Sequence, residues 1–307
     1  MVFDPSVEGL VLFDARDAAD GSVTSITSTD GRNTIANAAA ANQPTKGSGA
    51  LTFDGANDIL IDTARGFGAP VASVDLDAVW NASPLGDSDQ FTNTGITRAP
   101  DGTWWIVNHP AGAPGRADGI LVHFSADKQE VLGKIDLGQA YTVGEIGGPQ
   151  GIAYDRDDNT LWFSCNLQGE VRNISLDGTP NPEKSISFTA PAGVTINYAQ
   201  DALIILQSDD GGPGVMQTIN KSTKALIAGG TLTDLSHRDQ IYYCNDSGAL
   251  LITAGYEYNG SGADTFVGIY NMDGASYLSQ IALIRVPEPT AIEGIYYEDG
   301  RLWINND

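Results

Sequence analysis

Apolar residues recur along this chain in short alternating runs, joined two by two across polar turns. The pattern is clearest at 93–109 (NTGITRAPDGTWWIVNH), 149–166 (PQGIAYDRDDNTLWFSCN), 193–209 (GVTINYAQDALIILQSD), 237–256 (HRDQIYYCNDSGALLITAGY) and 291–307 (AIEGIYYEDGRLWINND). Alternation with a period of two predicts half-buried strands. Asp-Gly, Asp-Asp-Asn, Gln-Asp and Asp-Ser-Gly at the turns supply residues that tolerate left-handed backbone. Each segment therefore reads as a hairpin. Two more apolar runs follow several of them, for example GILVHFS and EVLGKIDLG after the first and FVGIYNM and YLSQIALIR after the fourth. No window of about twelve residues carries a convincing amphipathic helical stripe.

Anchored on Ile96, Ile152, Ile196, Ile241 and Ile295, the units repeat at roughly 45 to 55 residues, a period that suits four-stranded propeller blades with insertions in the longer units. The expected fold is all-β: a five-bladed β-propeller over 66–307 with a small β-rich N-terminal region over 1–65. The fifth unit ends after its second strand, and an open ring would expose a long edge. The run VASVDLDAVW at 71–80 alternates and is expected to form the outermost strand of that last blade. LVLFDA, SVTSIT, GALTFDG and NDILIDT read as short strands of the N-terminal region, one of which is available to the last blade.

Charge narrows the partners. Asp plus Glu number 39 against 16 Lys plus Arg, a formal net charge of −23 over 307 residues. Nucleic-acid binding needs a basic footprint, and an anionic membrane surface would repel the chain, so neither is an expected partner. The first residues show no basic stretch followed by an apolar run, so no signal peptide is expected and assembly in the cytoplasm is. No apolar run reaches the roughly 18–20 residues that span a bilayer. Cys165 and Cys244 lie in predicted strands and read as buried thiols.

The hairpin patterns N-x-G-I-T with G-T-x-W-I-V-N, then P-x-G-I, then I-E-G-I-Y-Y-x-D-G-R-L-W-I resemble the SdiA-regulated family of propellers. More distantly they resemble the esterase-like phytase and gluconolactonase propellers. The resemblance spans about 71–307 and implies an exported propeller with calcium in its channel, which the leaderless start of this chain does not match. LVLFDARDAADGSVTSITSTDGRN followed by GALTFDGANDIL is similar to concanavalin-like modules of phage tail and decoration proteins. The whole chain thereby resembles phage-type virion adhesins, such as the head spike fibres of gene transfer agents. That resemblance implies a place on a virion or particle surface, contact with other particle proteins through the N-terminal region, and recognition of capsular polysaccharide.

Candidate site residues follow from the repeat. The residues two before the anchors are Thr94, Gln150, Val194, Asp239 and Glu293. Oxygen ligands converging on a channel suit Ca²⁺, which takes roughly six to eight of them. Thr94, Gln150, Asp239 and Glu293 are thus the candidate metal ligands, and Asp239 with Glu293 is the candidate carboxylate pair of a hydrolase. Tyr141, Tyr256 and Tyr258 are expected in Gly-rich connections between strands, and with His109 they are the candidate ligand-binding residues: an aromatic face to stack a sugar, polar groups to bond its hydroxyls. No H-E-x-x-H, G-x-S-x-G or Walker pattern occurs. The sequence leaves three readings open: a non-enzymatic adhesin binding cell-surface polysaccharide, a calcium-dependent hydrolase acting as phosphoesterase, lactonase or depolymerase, and a purely structural decoration protein with no ligand.

Overall fold

The structure is a computed structural model that describes residues 2–3, 21–22, 25–27, 34–36, 45–47, 50–52, 73–86, 92–109, 119–142, 146–207, 214–232, 237–245, 250–258, 263–272, 277–285, 292–298 and 301–306. The N-terminal strands are β1 (Val2–Phe3), β2 (Gly21–Ser22), β3 (Ser25–Thr27), β4 (Thr34–Ala36), β5 (Thr45–Gly47) and β6 (Ala50–Thr52). β2, β5 and β6 form one small sheet and β3 with β4 another. The runs expected as strands at 10–15 and 57–63 lie outside the described residues.

Four antiparallel four-stranded sheets follow, each in simple sequential order. The first contains β7 (Asn93–Arg98), β8 (Trp104–Asn108), β9 (Ile120–Phe124) and β10 (Val131–Asp136), and is followed by the short helix α2 (Leu137–Ala140). The second contains β11 (Pro149–Asp155), β12 (Thr160–Cys165), β13 (Glu170–Ser175) and β14 (Ile186–Ser187). The third contains β15 (Pro191–Asn197), β16 (Ala202–Gln207), β17 (Gly214–Asn220) and β18 (Leu226–Leu232). The fourth contains β19 (His237–Cys244), β20 (Leu250–Tyr258), β21 (Ala263–Asn271) and β22 (Gln280–Arg285). These are propeller-type blades. Where a fifth four-stranded blade was expected, the structure has a three-stranded sheet in the order β1, β24 (Arg301–Asn306), β23 (Ile292–Glu298).

The strand expected at 71–80 is corrected as well: Leu76–Ala82 is a helix, α1. Asp75 caps it, its carboxylate accepting the Ala78 N–H at 3.0 Å. Leu76, Val79 and Trp80 fall at helical spacing, and Leu76 and Trp80 are buried against Trp104, Tyr296 and Trp303. A run that alternates can also present an i, i+3, i+4 face, and here the N-cap and the large Trp80 decide for the helix. The third strand of the last sheet is β1, with Val2 opposite Trp303 and Phe3 opposite Leu302.

The inner strands β7, β11, β15, β19 and β23 contact one another in a closed circuit, β23 returning to β7. Each carries a bulge at one place. Just after it, Ile96, Ile152, Val194, Ile241 and Ile295 pair with Ile106, Phe163, Ile205, Thr253 and Ile304. The register therefore makes Val194, not Ile196, the third member of the set. The residue before each is Gly95, Gly151, Gly193, Gln240 and Gly294. At Gly95, Gly151 and Gly294 small size is required because the neighbouring strand's backbone comes very close, whereas the fourth unit accommodates Gln240. A Cβ on Gly95 would lie 2.3 Å from the Gln150 carbonyl oxygen, and one on Gly151 2.3 Å from that of Ala192.

Five apolar clusters fill the gaps between successive sheets. Ile96, Trp104, Ile106, Tyr296 and Trp303 join the last sheet to the first. Trp105, Leu121, Ile152 and Phe163 join first to second, and Trp162, Val194, Leu203 and Ile205 second to third. Ile204, Met216, Ile241 and Tyr270 join third to fourth, and Ile252, Val267, Ile295 and Ile304 fourth to last. Burial in these clusters, not hydrogen bonding, is the main force holding sheet to sheet. Cys165 and Cys244 belong to two of them as buried thiols outside any disulfide.

Candidate functional site

Strand direction sorts the site residues onto two faces. The near face holds the starts of the inner strands and the far face their ends. Thr94, Gln150, Asp239 and Glu293, all beside the bulges, lie on the near face. So do His109, just after β8, Tyr141, just after α2, and Tyr256 and Tyr258, at the end of β20. The topology thus gathers every sequence-predicted residue on one side of the molecule. Three details differ from expectation. In the third unit the corrected register puts Ala192, fully buried, where an oxygen ligand was sought, and Val194 packs between blades. Tyr256 and Tyr258 sit within a strand, opposite Thr265 and Ala263, and not in a connection.

On that face the Thr94 hydroxyl is buried in a blade seam and donates to the Gln150 carbonyl at 3.0 Å. The Gln150 Oε1 accepts from Asn166 Nδ2 at 3.2 Å. Asn305 Nδ2 donates to the Thr94 carbonyl at 2.7 Å, stitching the last sheet to the first. Its Oδ1 is buried with no hydrogen-bond partner among the described residues. Among the described residues no group of three or more His, Cys, Asp or Glu side chains is gathered for a metal, and the Asp239 side chain lies outside them. His109 Nδ1 lies 3.2 Å from the Pro149 carbonyl, so the tautomer that donates from Nδ1 fits there. Tyr141 lines a groove of about 620 Å³ at the outer seam of the first two blades, with Glu170 and Arg172. Its hydroxyl donates to the Asn173 carbonyl at 3.3 Å, and the Arg172 guanidinium is 4.9 Å from its ring centre.

The far face carries a constellation that sequence reasoning missed. A cavity of about 640 Å³ is lined by the end halves of all five inner strands. Its floor is the apolar ring Ile96, Ile152, Val194, Ile241 and Ile295. Above it stand Tyr154, Tyr198, Tyr242, Tyr296 and Tyr297, with Arg98, Arg156, Asn245 and Glu298. The hairpins put them there: residues one or two past three of the anchors, Ile152, Ile241 and Ile295, are Tyr154, Tyr242, Tyr296 and Tyr297. The signal was present as I-A-Y, I-Y-Y and I-Y-Y after the anchors, but tyrosine in a strand reads equally as packing.

The lining is preorganised. Tyr198 donates from its hydroxyl to the Tyr154 carbonyl at 2.9 Å, and its N–H bonds the Asn245 Oδ1 at 3.0 Å. Asn245 Nδ2 in turn donates to the Ile196 carbonyl at 2.8 Å. Arg98 Nη1 pairs with Glu298 Oε2, and Tyr296 donates toward Glu298 Oε1 at 3.3 Å. Tyr242 and Tyr296 meet edge to face, centroids 4.8 Å apart. Burial pushes the Tyr198 hydroxyl up to about 12 and raises those of Tyr154, Tyr242 and Tyr296 too. All four are neutral donors at any physiological pH. The site therefore offers aromatic rings, fixed hydroxyl and amide groups and guanidinium, a set suited to binding a polar ring-shaped ligand.

Beside the cavity, Lys128 Nζ lies 4.4 Å from the Trp104 ring centre, and Arg98 sits over the same ring at 5.4 Å. Burial, then repulsion from Arg98, lowers the Lys128 pKa from 10.5 to about 8. A lysine depressed in the folded state binds fewer protons there than in the unfolded chain. Folding stability from this group therefore rises as pH climbs from about 8 to 10.5. Urea unfolding of the native chain and Lys128→Met at pH 7 and pH 9.5 should show the native protein gaining relative to the variant at the higher pH. ¹³C-methyl NMR of reductively methylated protein should show one lysine titrating well below the rest.

Neither a protein-family profile nor a curated protein sequence matches the chain. Among solved structures it is similar to hydrazine synthase of Kuenenia stuttgartiensis (15% identity, 63% of this chain and 49% of that one, TM-score 0.44). It thus spans about half the length of that chain. It is also similar to a chain of the nidogen/laminin complex (11% identity, 70% and 72% covered, TM-score 0.46). A third is regucalcin from Agrobacterium tumefaciens, described as calcium-binding (15% identity, 77% and 66% covered, TM-score 0.40).

Proposed function

We propose that this chain is a non-catalytic recognition protein, a five-sheet propeller that binds cell-surface or capsular polysaccharide. We read it as the host-recognition component of a phage-type particle, held to other particle proteins through the N-terminal region. The observation that carries the reading is the far-face cavity, where five tyrosines, an asparagine and two arginines converge above an apolar floor. Sugars present apolar C–H faces beside hydroxyls, so they reward this combination of ring and hydrogen-bond donor. The strong net negative charge would keep densely displayed copies soluble and discourage non-specific binding to nucleic acid.

A second reading is a calcium-dependent hydrolase centred on the near face, with Asp239 and Glu293 as ligands or as the acid and base. It is favoured by the shared register of Thr94, Gln150, Asp239 and Glu293 and by the unpartnered Asn305 Oδ1 beside Thr94. One experiment separates the two. Pure protein is incubated with capsular polysaccharides, with and without a calcium chelator, and both bound protein and polysaccharide length are followed. Binding at constant chain length, unaffected by chelation, is the expected result. Shortening abolished by chelation and by Asp239→Asn with Glu293→Gln would establish the hydrolase instead. No binding and no shortening would overturn both.

A further inference from the structure

The far-face cavity contains an arginine whose charge no carboxylate among the described residues answers. Arg156 is exposed and lines the cavity. Its guanidinium lies 3.9 Å from the Tyr198 ring centre, stacked on it, and its backbone N–H reaches the Tyr198 hydroxyl at 3.4 Å. Four other basic groups have carboxylate partners: Arg98 has Glu298, Arg172 has Glu170, Lys184 has Asp158 and Lys221 has Asp155. Among the described residues Arg156 enters no ion pair, although the chain carries 39 carboxylates. Its own neighbours are turned to another cation: Asp155 bonds Lys221 at 2.8 Å, and Asp157 lies 3.9 Å from the same ammonium. Among the described residues the one carboxylate in the cavity wall, Glu298, is held by Arg98.

A guanidinium stacked on an aromatic ring keeps its N–H edge free and its position fixed, which is how arginine captures a carboxylate through two parallel hydrogen bonds. We infer that the cavity takes a carboxylate-bearing sugar, a uronate residue of an acidic polysaccharide, with Arg156 anchoring the carboxylate and the tyrosines facing the ring. This rests on the polysaccharide-binding reading and narrows it to acidic glycans. The overall negative charge does not forbid such a ligand. Exposed charges more than a Debye length away, about 8 Å at physiological salt, are largely screened, and the cavity rim is set by its nearest groups.

The test uses the full chain on an array of uronate-containing oligosaccharides, each beside its carboxyl-reduced neutral counterpart, with affinities then measured by calorimetry. The native protein should bind at least one acidic member about tenfold or more tightly than its neutral twin. Arg156→Gln should bring the two together, and Arg156→Lys should restore only part of the difference, because an ammonium keeps the charge but not the fork. Both variants change an exposed side chain, and circular dichroism should match the native spectrum. Equal binding of both twins by the native protein, or a preference that survives in Arg156→Gln, would overturn the inference and leave glycan recognition standing. No binding to any array member would overturn glycan recognition itself.

Discussion

Replacing Asp155 by alanine is expected to destabilise the protein by up to about 3–5 kcal/mol, the cost of breaking a buried ion pair, less what Lys221 keeps from Asp201 at 3.3 Å. Asp155 is fully buried at the end of β11. Its Oδ2 accepts from Lys221 Nζ at 2.8 Å and from Trp162 Nε1 at 3.0 Å, and its Oδ1 from the Asp157 N–H at 3.2 Å. Lys221 is itself buried, in the turn after β17, so the pair bolts the second blade to the third. Burial alone would lower the lysine pKa, but the bonds and charges of Asp155 and Asp201 outweigh it and the net shift is upward. A raised lysine stabilises the fold below its unfolded value near 10.5 and loses that contribution only at still higher pH. Urea midpoints should show the loss in Asp155→Ala from pH 6 to 9. The double variant Asp155→Ala, Lys221→Met should recover much of it, since no charge is then left unanswered. Equal instability of single and double variants would mean that packing around Trp162, not the ion pair, carries the seam.

Gly151→Ala is expected to cost about 1–3 kcal/mol or more, and Gly133→Ala close to nothing. On Gly151 a methyl group would meet the Ala192 carbonyl oxygen at 2.3 Å, the Val194 nitrogen at 2.8 Å and the Gly193 carbonyl carbon at 3.1 Å, all backbone of the next inner strand. No side chain can swing aside, so two sheets must part. On Gly133, in the outer strand β10, the same methyl meets nothing within 4 Å. Thermal unfolding of the two variants checks the contrast. A tolerant Gly151→Ala would mean that the inner strands are not packed backbone to backbone.

The repeat of paired strands was legible because turn residues and alternation are local. The hairpins at Asn93–Asn108, Pro149–Cys165 and Ile292–Asn306 lie where the pattern placed them. The third unit slipped by two residues because G-V-T-I offers two apolar anchors of the right parity, Val194 and Ile196, both buried in one cluster. Only the bulge, a feature of pairing and not of composition, picks between them. Residues 76–82 misled for a related reason, since seven residues satisfy both periods and tertiary burial of Trp80 decides. The near-face residues could be named from the repeat. The far-face cavity could not, because a tyrosine one or two places past an anchor belongs to packing or to a pocket according to how far the inner strands stand apart, a distance no local pattern encodes.

The stitch between the last sheet and the first also has a kinetic side. Asn305 reaches back 211 residues to Thr94, and Glu298 reaches 200 to Arg98. Closing so large a loop costs little at equilibrium, since each doubling of length adds only about 0.6 kcal/mol. In time it is demanding. The first blade is synthesised early, and α1 can supply Leu76 and Trp80 at once, yet the rest of the cover of Trp104 and Ile96 arrives only when Tyr296 and Trp303 have been made. Until then part of an apolar flank stands bare, so a late docking of the last sheet, preceded by an interval of exposed apolar surface, is the expected order of folding.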